Sequence, residues 1–509
     1  MTSDATVIID VEPLSPADLL RVARGARLEL GDGARRRIAA SRAVVDRHAA
    51  GPDLVYGLNT GLGHWRDQRV PEEALRAQQS QIVTMHAGGL GPPLNTDVVR
   101  AAMAVRVAGI ARGGAGASPA LADTLVAMLN AGVHPLVPAT GSVGAADLMH
   151  MAAIGLVVVG QGRAEYKGEA LDGGEALRRA GIEPAELAAK DALTLISANG
   201  VAIGHAALVV ARAETAARLA DAVLAASLEA IRGNVSVVEP VVARAKPVAG
   251  QAESAEFIRA MLDGSQRCLP GGASSVQDPL SFRVGPQVHG ALRETTRHLA
   301  AQVATELAAM DDNPLVDIEG DRLISNGNFH PLALALAADA LRPAVAHVGQ
   351  ISDRRLNHLF NSVAALVDPT DAALGAVAAD LSGLLMRYAS AVRYTELREI
   401  VNPVTLDIPP LDLGVEDHAT NAPLAVARSE QALDLLDELL VVELLVAADV
   451  LRLDDPELAG VGAGVRRLLA ELVSVRSEMG PAATSAELHA AVLGALYQRL
   501  LPAAEARFD

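Results

Sequence analysis

The sequence predicts a mainly α protein built around a central bundle of long helices, and three observations carry that reading. Half of the 509 residues are apolar while only 2% are aromatic, so the apolar mass is Ala, Leu and Val. Ala and Leu are strong helix formers, and small Ala side chains let helices approach closely. Beyond residue 200 the apolar spacing marks long helices at 201–232, 285–311, 332–350, 371–393 and 422–453, separated by short polar or Pro/Gly-rich connections such as Cys268–Pro279 and Asn402–Gly414.

From the N-terminus, Ser15 before Pro16, with Asp18 in the first turn, starts a helix through Leu19–Arg24. The glycine-studded run Tyr56-Gly57-Leu58-Asn59-Thr60-Gly61-Leu62-Gly63 reads as a tightly turning loop. Helical spacing returns at Glu72–Ala87 and at Asp97–Ala111. A second glycine turn, Gly141-Ser142-Val143-Gly144, precedes an apolar helical run expected to start near Ala145. The unpaired N–H groups of such a helix start would favour an anion or a developing oxyanion. No internal repeat or low-complexity linker interrupts the chain. The simplest division is a mixed N-terminal region, 1–200, feeding a long-helix region, 201–509.

The formal net charge of −18, with no Lys/Arg block, argues against nucleic-acid or anionic-membrane partners. Cys268 is the single cysteine, so no disulfide forms within the chain, which fits a reducing cytoplasm. The first residues lack a positive n-region and an apolar stretch, and the runs Ile154–Gly160 and Leu439–Val446 are too short to span a bilayer. The 13 histidines show no metal-ligand spacing, and no Gly-Lys-Ser/Thr follows Gly57, Gly61 and Gly63, so neither a metal site nor a phosphate loop is expected.

Eight separated segments, in order and spanning nearly the whole chain, resemble the histidine/aromatic amino acid ammonia-lyase family. They are Tyr56–Gly63, Met85–Gly89, Pro138–Leu148, Arg244–Gln251, Val276–Gly290, Asp312–Leu315, Asn328–His330 and Glu416–His418. The resemblance implies the family's helical fold, a homotetramer with active sites shared between subunits, and an amino acid or related carboxylate as substrate. In that family an internal Ala-Ser-Gly cyclises to a methylidene-imidazolone (MIO), an electrophile that captures the substrate amine.

Residue by residue, the resemblance gives Tyr56 as the base that removes the β-proton and Arg283 as the carboxylate clamp, a role suited to a bidentate guanidinium. Asn313, Phe329 and Gln277 match pocket positions, while His86 and Glu416 match those that contact the substrate side chain in histidine-type members. That pair suits a polar or cationic group. Each residue also has a plain structural reading. Tyr56 could anchor its own loop, Arg283 could be a buried ion pair, His86 a satisfied core histidine, and Glu416-Asp417-His418 a helix entry.

The chain departs from the family where the electrophile forms. Gly144-Ala145-Ala146-Asp147 is one residue short and holds neither the serine that supplies the methylidene carbon nor the glycine whose nitrogen closes the ring. No MIO is expected. Aligned without gaps from Lys190, Ser197 replaces an asparagine beside the cofactor, and Asn199 could fill that place only if the backbone shifts by two residues. Leu280 stands where the family has a tyrosine. The expected function is therefore carbon–nitrogen lyase or isomerase chemistry begun by Tyr56 without MIO. The rivals are a non-catalytic carboxylate-binding homologue and an orthodox histidine ammonia-lyase.

Overall fold

The computed structural model describes residues 6–49, 51–269, 271–366, 381–383, 386–480 and 483–506. Helices dominate, and no strand among the described residues exceeds four residues. The chain forms two compact units. The first comprises residues 1–209, 299–339 and 403–427, and the second 210–298, 340–402 and 428–509. The expected linear division at residue 200 thus becomes an interleaved one, because the chain returns twice to its first unit.

Local chemistry explains the helix ends in the first unit. Ser15 caps the helix Pro16–Ala23 by accepting the Asp18 amide, with Pro16 supplying a preset φ. Ser118 caps Pro119–Ala131 in the same way, its hydroxyl accepting the Leu121 amide at 3.3 Å and donating to buried Asp191 at 2.7 Å. Gly132, left-handed at φ 74°, ends that helix. The helices Thr96–Ala111 and Gly200–Ile231 meet with almost no side chain between them, since a Cβ at Gly204 would lie 2.9 Å from the Ala101 backbone. Small residues at such a crossing allow backbone contact and close packing. The strands are short: Val7–Ile9 runs parallel to Leu28–Leu30, Leu315–Asp317 antiparallel to Arg322–Ile324, and Val133–Pro135, Arg163–Tyr166 and Glu169–Asp172 form a three-stranded antiparallel sheet.

The second unit is a helix bundle with charge sealed inside it. Arg355 and Glu443, both fully buried, pair through two hydrogen bonds of 2.5 and 2.8 Å, and Ser227 donates to the same carboxylate at 2.6 Å. Arg355 also donates to the Ser281 carbonyl at 3.0 Å. Buried Asp221 accepts from Ser254 and Arg293 and is bonded to His289 Nδ1 at 2.7 Å. Each oxygen of the two carboxylates accepts at least one hydrogen bond, as burial of an ion requires, while Arg293 Nη1 and His289 Nε2 are buried without a partner.

The long helices come out as Gly200–Ile231, Gly285–Ala308 and Ala422–Asp454, within a few residues of the sequence expectation. The one expected at 332–350 continues to Leu366. Most of the one expected at 371–393 lies outside the described residues, and the helix described there is Met386–Glu399. Two stretches, Asp191–Ile231 and Leu332–Leu366, have the length and apolarity that a bilayer span would need. Their most apolar windows are 89% and 56% buried within the protein, which is how core helices arise from the same composition.

Candidate active site

The first unit brings two of the sequence-expected groups together, one around Tyr56 and one around the shortened Gly144–Asp147 segment.

Tyr56 lies half-buried in a loop whose shape is set by its own polar side chains. Asn59 Oδ1 accepts the Val55 amide at 2.8 Å while its Nδ2 donates to the Asp53 carbonyl at 2.9 Å. Buried Thr60 accepts the Gly57 amide at 3.2 Å. The loop folds back so that the Tyr56 hydroxyl accepts the Gly63 amide at 3.3 Å. Burial first, then the nearby Glu416 and Asp412 carboxylates, hold the phenol above its usual pKa. The Gly63 amide and Arg66 act in the opposite direction.

His86 closes the helix Glu72–His86, and its Nδ1 is 2.7 Å from the Ile82 carbonyl. A carbonyl can only accept, so Nδ1 carries the proton there and Nε2 remains the face for a ligand. Glu416 is raised above the usual carboxylate range by burial and by Asp412, while His86 draws it back. Tyr56, His86, Glu416 and Asp412 therefore share one electrostatic neighbourhood. Glu416 does not open a helix, because the next one begins at Ala422. It closes instead a tight turn, with Leu411 N to Glu416 O at 2.8 Å and Glu416 N to Leu411 O at 3.2 Å.

The Gly144–Asp147 segment is held from four directions. Thr420 Oγ1 donates to the Gly144 carbonyl at 2.8 Å, and the Asn421 amide to the Val143 carbonyl at 2.8 Å. The Ala146 amide donates to the Phe329 carbonyl at 3.1 Å and the Asp147 amide to the Ala198 carbonyl at 2.8 Å. Ser142 accepts the Gly144 amide and donates to Asp147 Oδ1 at 3.0 Å. Asp147 is fully buried and pushed up to about 6, chiefly by burial, against hydrogen bonds from the Ala202 amide, Ser142 and the Val201 amide.

This geometry corrects two expectations. The helix starts at Leu148 with Asp147 as its cap, not near Ala145. The amides of Gly144, Ala146 and Asp147 are already spent on protein acceptors, so they form no vacant anion nest. At the place of the family's Ala-Ser-Gly, positions 145 and 146 are buried alanines, with Ala146 at φ 57°, and the one serine of the loop, Ser142, precedes Val143 and is engaged with Asp147.

Asn199 holds the position beside the segment. Its Nδ2 donates to the Phe329 carbonyl at 3.0 Å, the same acceptor used by Ala146, and its Oδ1 is buried without a protein partner. Ser197 caps the helix Asp191–Ile196, with its amide on the Leu193 carbonyl. Ala198, between the two, supplies the carbonyl that meets the Asp147 amide. Asn313 is half-buried, joined to Pro314 by a cis peptide bond, and accepts the Asn326 amide at 3.0 Å.

Gln277, Leu280 and Arg283 belong to the second unit. Gln277 is exposed in a turn closed by Ser275, and Leu280 is 59% exposed. Arg283 ends the short helix Leu280–Arg283, and among the described residues no carboxylate pairs with it. Its Nε is buried and unpartnered, so the buried ion-pair reading has no partner to support it. Asp412 was not anticipated, and the signal was Asp412-Leu413-Gly414 four residues ahead of Glu416. Among the described residues no group of three or more His, Cys, Asp or Glu side chains is placed to hold a metal.

Comparison with known proteins agrees with this layout. Residues 14–474 match the family model for aromatic amino acid lyases. The histidine ammonia-lyase of Gloeobacter violaceus is 35% identical over 467 residues, covering 90% of each chain. Ergothionase, an ergothioneine-degrading enzyme from Treponema denticola solved in complex with desmethyl-ergothioneine sulfonic acid, superposes with a TM-score of 0.90 at 26% identity, covering 98% of this chain and 99% of that one. The histidine ammonia-lyase of Trypanosoma cruzi superposes at 0.85 with 29% identity over 98% and 95%. Members of the family ordinarily carry MIO. On a match of this extent, the chain belongs to the aromatic amino acid lyase family and is a carbon–nitrogen lyase.

Proposed function

We propose that this enzyme eliminates an amine from an imidazole-bearing α-amino carboxylate, without MIO, and that its substrate is a betaine whose nitrogen leaves as a neutral tertiary amine. The observation that carries the reading is the Gly144-Ala145-Ala146-Asp147 segment, in which Ala145-Ala146 stands between Gly144 and Asp147 where the family has Ala-Ser-Gly. An unactivated primary amine is a poor leaving group. A quaternary nitrogen is permanently cationic and departs with its bonding pair, so no capture is needed.

The imidazole is supported by His86 and Glu416 and by the similarity to histidine ammonia-lyases. The betaine is supported by the likeness to ergothionase, since ergothioneine is a betaine of a thiolated histidine. In the step, ionised Tyr56 takes the β-proton, the C–H pair becomes the Cα–Cβ double bond, and the C–N pair leaves with nitrogen. Arg283 holds the carboxylate, and Asn313 and Phe329 line the pocket. A homotetramer with shared active sites and a cytoplasmic setting belong to the same reading.

The test is amine release from trimethylhistidine, ergothioneine and histidine, with the intact mass recorded on the same sample. The expected result is tertiary amine and a conjugated acrylate from a chain of unmodified mass, reduced at least about 100-fold in Tyr56→Phe. Ammonia from histidine, with a mass lower by two waters, would instead support the orthodox histidine ammonia-lyase that the similar sequences favour. No amine from any substrate, with carboxylates raising the melting temperature, would support the non-catalytic binder.

A further inference from the structure

Gly63 is shared by Tyr56 and Asp412. Its amide donates to the Tyr56 hydroxyl, and on the side where a Cβ would stand it is covered by Asp412 Oδ2, which such an atom would strike. Gly63 itself is left-handed, at φ 53°, and opens the short turn Gly63–Trp65. The residue against it is held in an unusual way. Asp412, Leu413 and Gly414 have φ values of 46°, 55° and 86°, three left-handed residues in succession of which two carry side chains. Such conformations are rare outside glycine and are kept where the surroundings impose them.

Leu413 is 82% exposed, so packing of its side chain does not account for the turn. The turn's effect is to aim Asp412 at Gly63 while Glu416, which closes it, faces His86.

We propose that Asp412 is a positioning residue that makes the Tyr56 base conditional on a cationic substrate. The inference rests on Tyr56 being the base in the elimination proposed above. Two carboxylates, Asp412 and Glu416, face the phenol, with Arg66 as the cation acting on it and His86 acting on Glu416. A phenolate formed beside two carboxylates in a half-buried loop is disfavoured. A bound cation offsets both charges and lets the proton leave, so the empty site stays in the phenol form and a neutral substrate gains no base.

The direct test is tyrosinate absorbance against pH. The difference between the wild type and Tyr56→Phe isolates Tyr56, and the difference between Asp412→Asn and the Asp412→Asn/Tyr56→Phe double variant isolates it without the charge. The expected result is a midpoint at lower pH in Asp412→Asn, restored in Asp412→Glu. Tetramethylammonium should lower the wild-type midpoint more than that of Asp412→Asn. Unchanged midpoints, with or without a change in melting temperature, would overturn the proposal and leave Asp412 a structural residue. This readout needs no turnover, so it separates from the substrate reading. A wild type inactive on all three substrates refutes that reading alone, whereas an active wild type whose Tyr56 midpoint is unmoved by Asp412→Asn refutes this one.

Discussion

Asn199 and Phe329 are joined by a single hydrogen bond, from the side-chain amide to the main-chain carbonyl at 3.0 Å, on the acceptor that also takes the Ala146 amide. The shared carbonyl ties Asn199 to the Gly144–Asp147 segment. Asn199→Ala should therefore cost about 0.5–1.5 kcal/mol of stability, by removing one of the two donors to a part-buried carbonyl, and lower kcat at least about tenfold. Ser197→Ala should stay within about 0.5 kcal/mol. Chemical denaturation and steady-state kinetics on the pair decide it. The reverse ranking would restore the gapless alignment.

Burial pushes the Asp147 carboxyl up to about 6 from its ordinary 3.8, so the native state binds more protons than the unfolded chain between those values. Its contribution is greatest below about pH 4 and is lost as pH rises through 6. Asp311 and Asp449, also pushed up to about 6 by burial, act in the same direction, while His150, lowered to about 4, acts against them. Asp147→Asn should remove a share of up to about 3 kcal/mol from the fall in stability across that window. Urea midpoints at pH 4.5 and 7 would show it as a flatter dependence. A slope equal to that of the wild type would mean that Asp147 titrates normally.

Arg283 has a buried, unpartnered Nε and no carboxylate partner among the described residues. If it clamps the substrate carboxylate, Arg283→Lys keeps the charge but loses the fork, and KM should rise about 10- to 100-fold with little change in melting temperature. A large loss of stability with KM intact would assign it to the fold.

Arg355 and Glu443 form a fully buried pair, so removing one partner strands a charge. Arg355→Ala should lose about 3–5 kcal/mol, and Arg355→Ala/Glu443→Ala less than the two single losses added. A thermal-unfolding double-mutant cycle measures the difference. Strict additivity would show that the two charges are independently solvated.

The sequence by itself determined the helices and the family. Helix formation is a local matter of spacing and caps, as at Ser15-Pro16, and the ordered motifs from Tyr56 to His418 needed no coordinates to be read. It also carried the missing serine and glycine at 145–146, since that loss is one of composition.

The tertiary structure alone decided that Asn199 shares the Phe329 carbonyl with the segment, which acceptors take the Ala146 and Asp147 amides, and that Asp412 covers Gly63 behind Tyr56. Each of these turns on a contact between residues far apart in the chain: Asn199 with Phe329, Ala146 with Phe329, Gly63 with Asp412. Spacing along a sequence encodes neighbours three or four residues away on a helix. It does not encode which backbone acceptor a distant loop will present, and here those acceptors take the Ala146 and Asp147 amides.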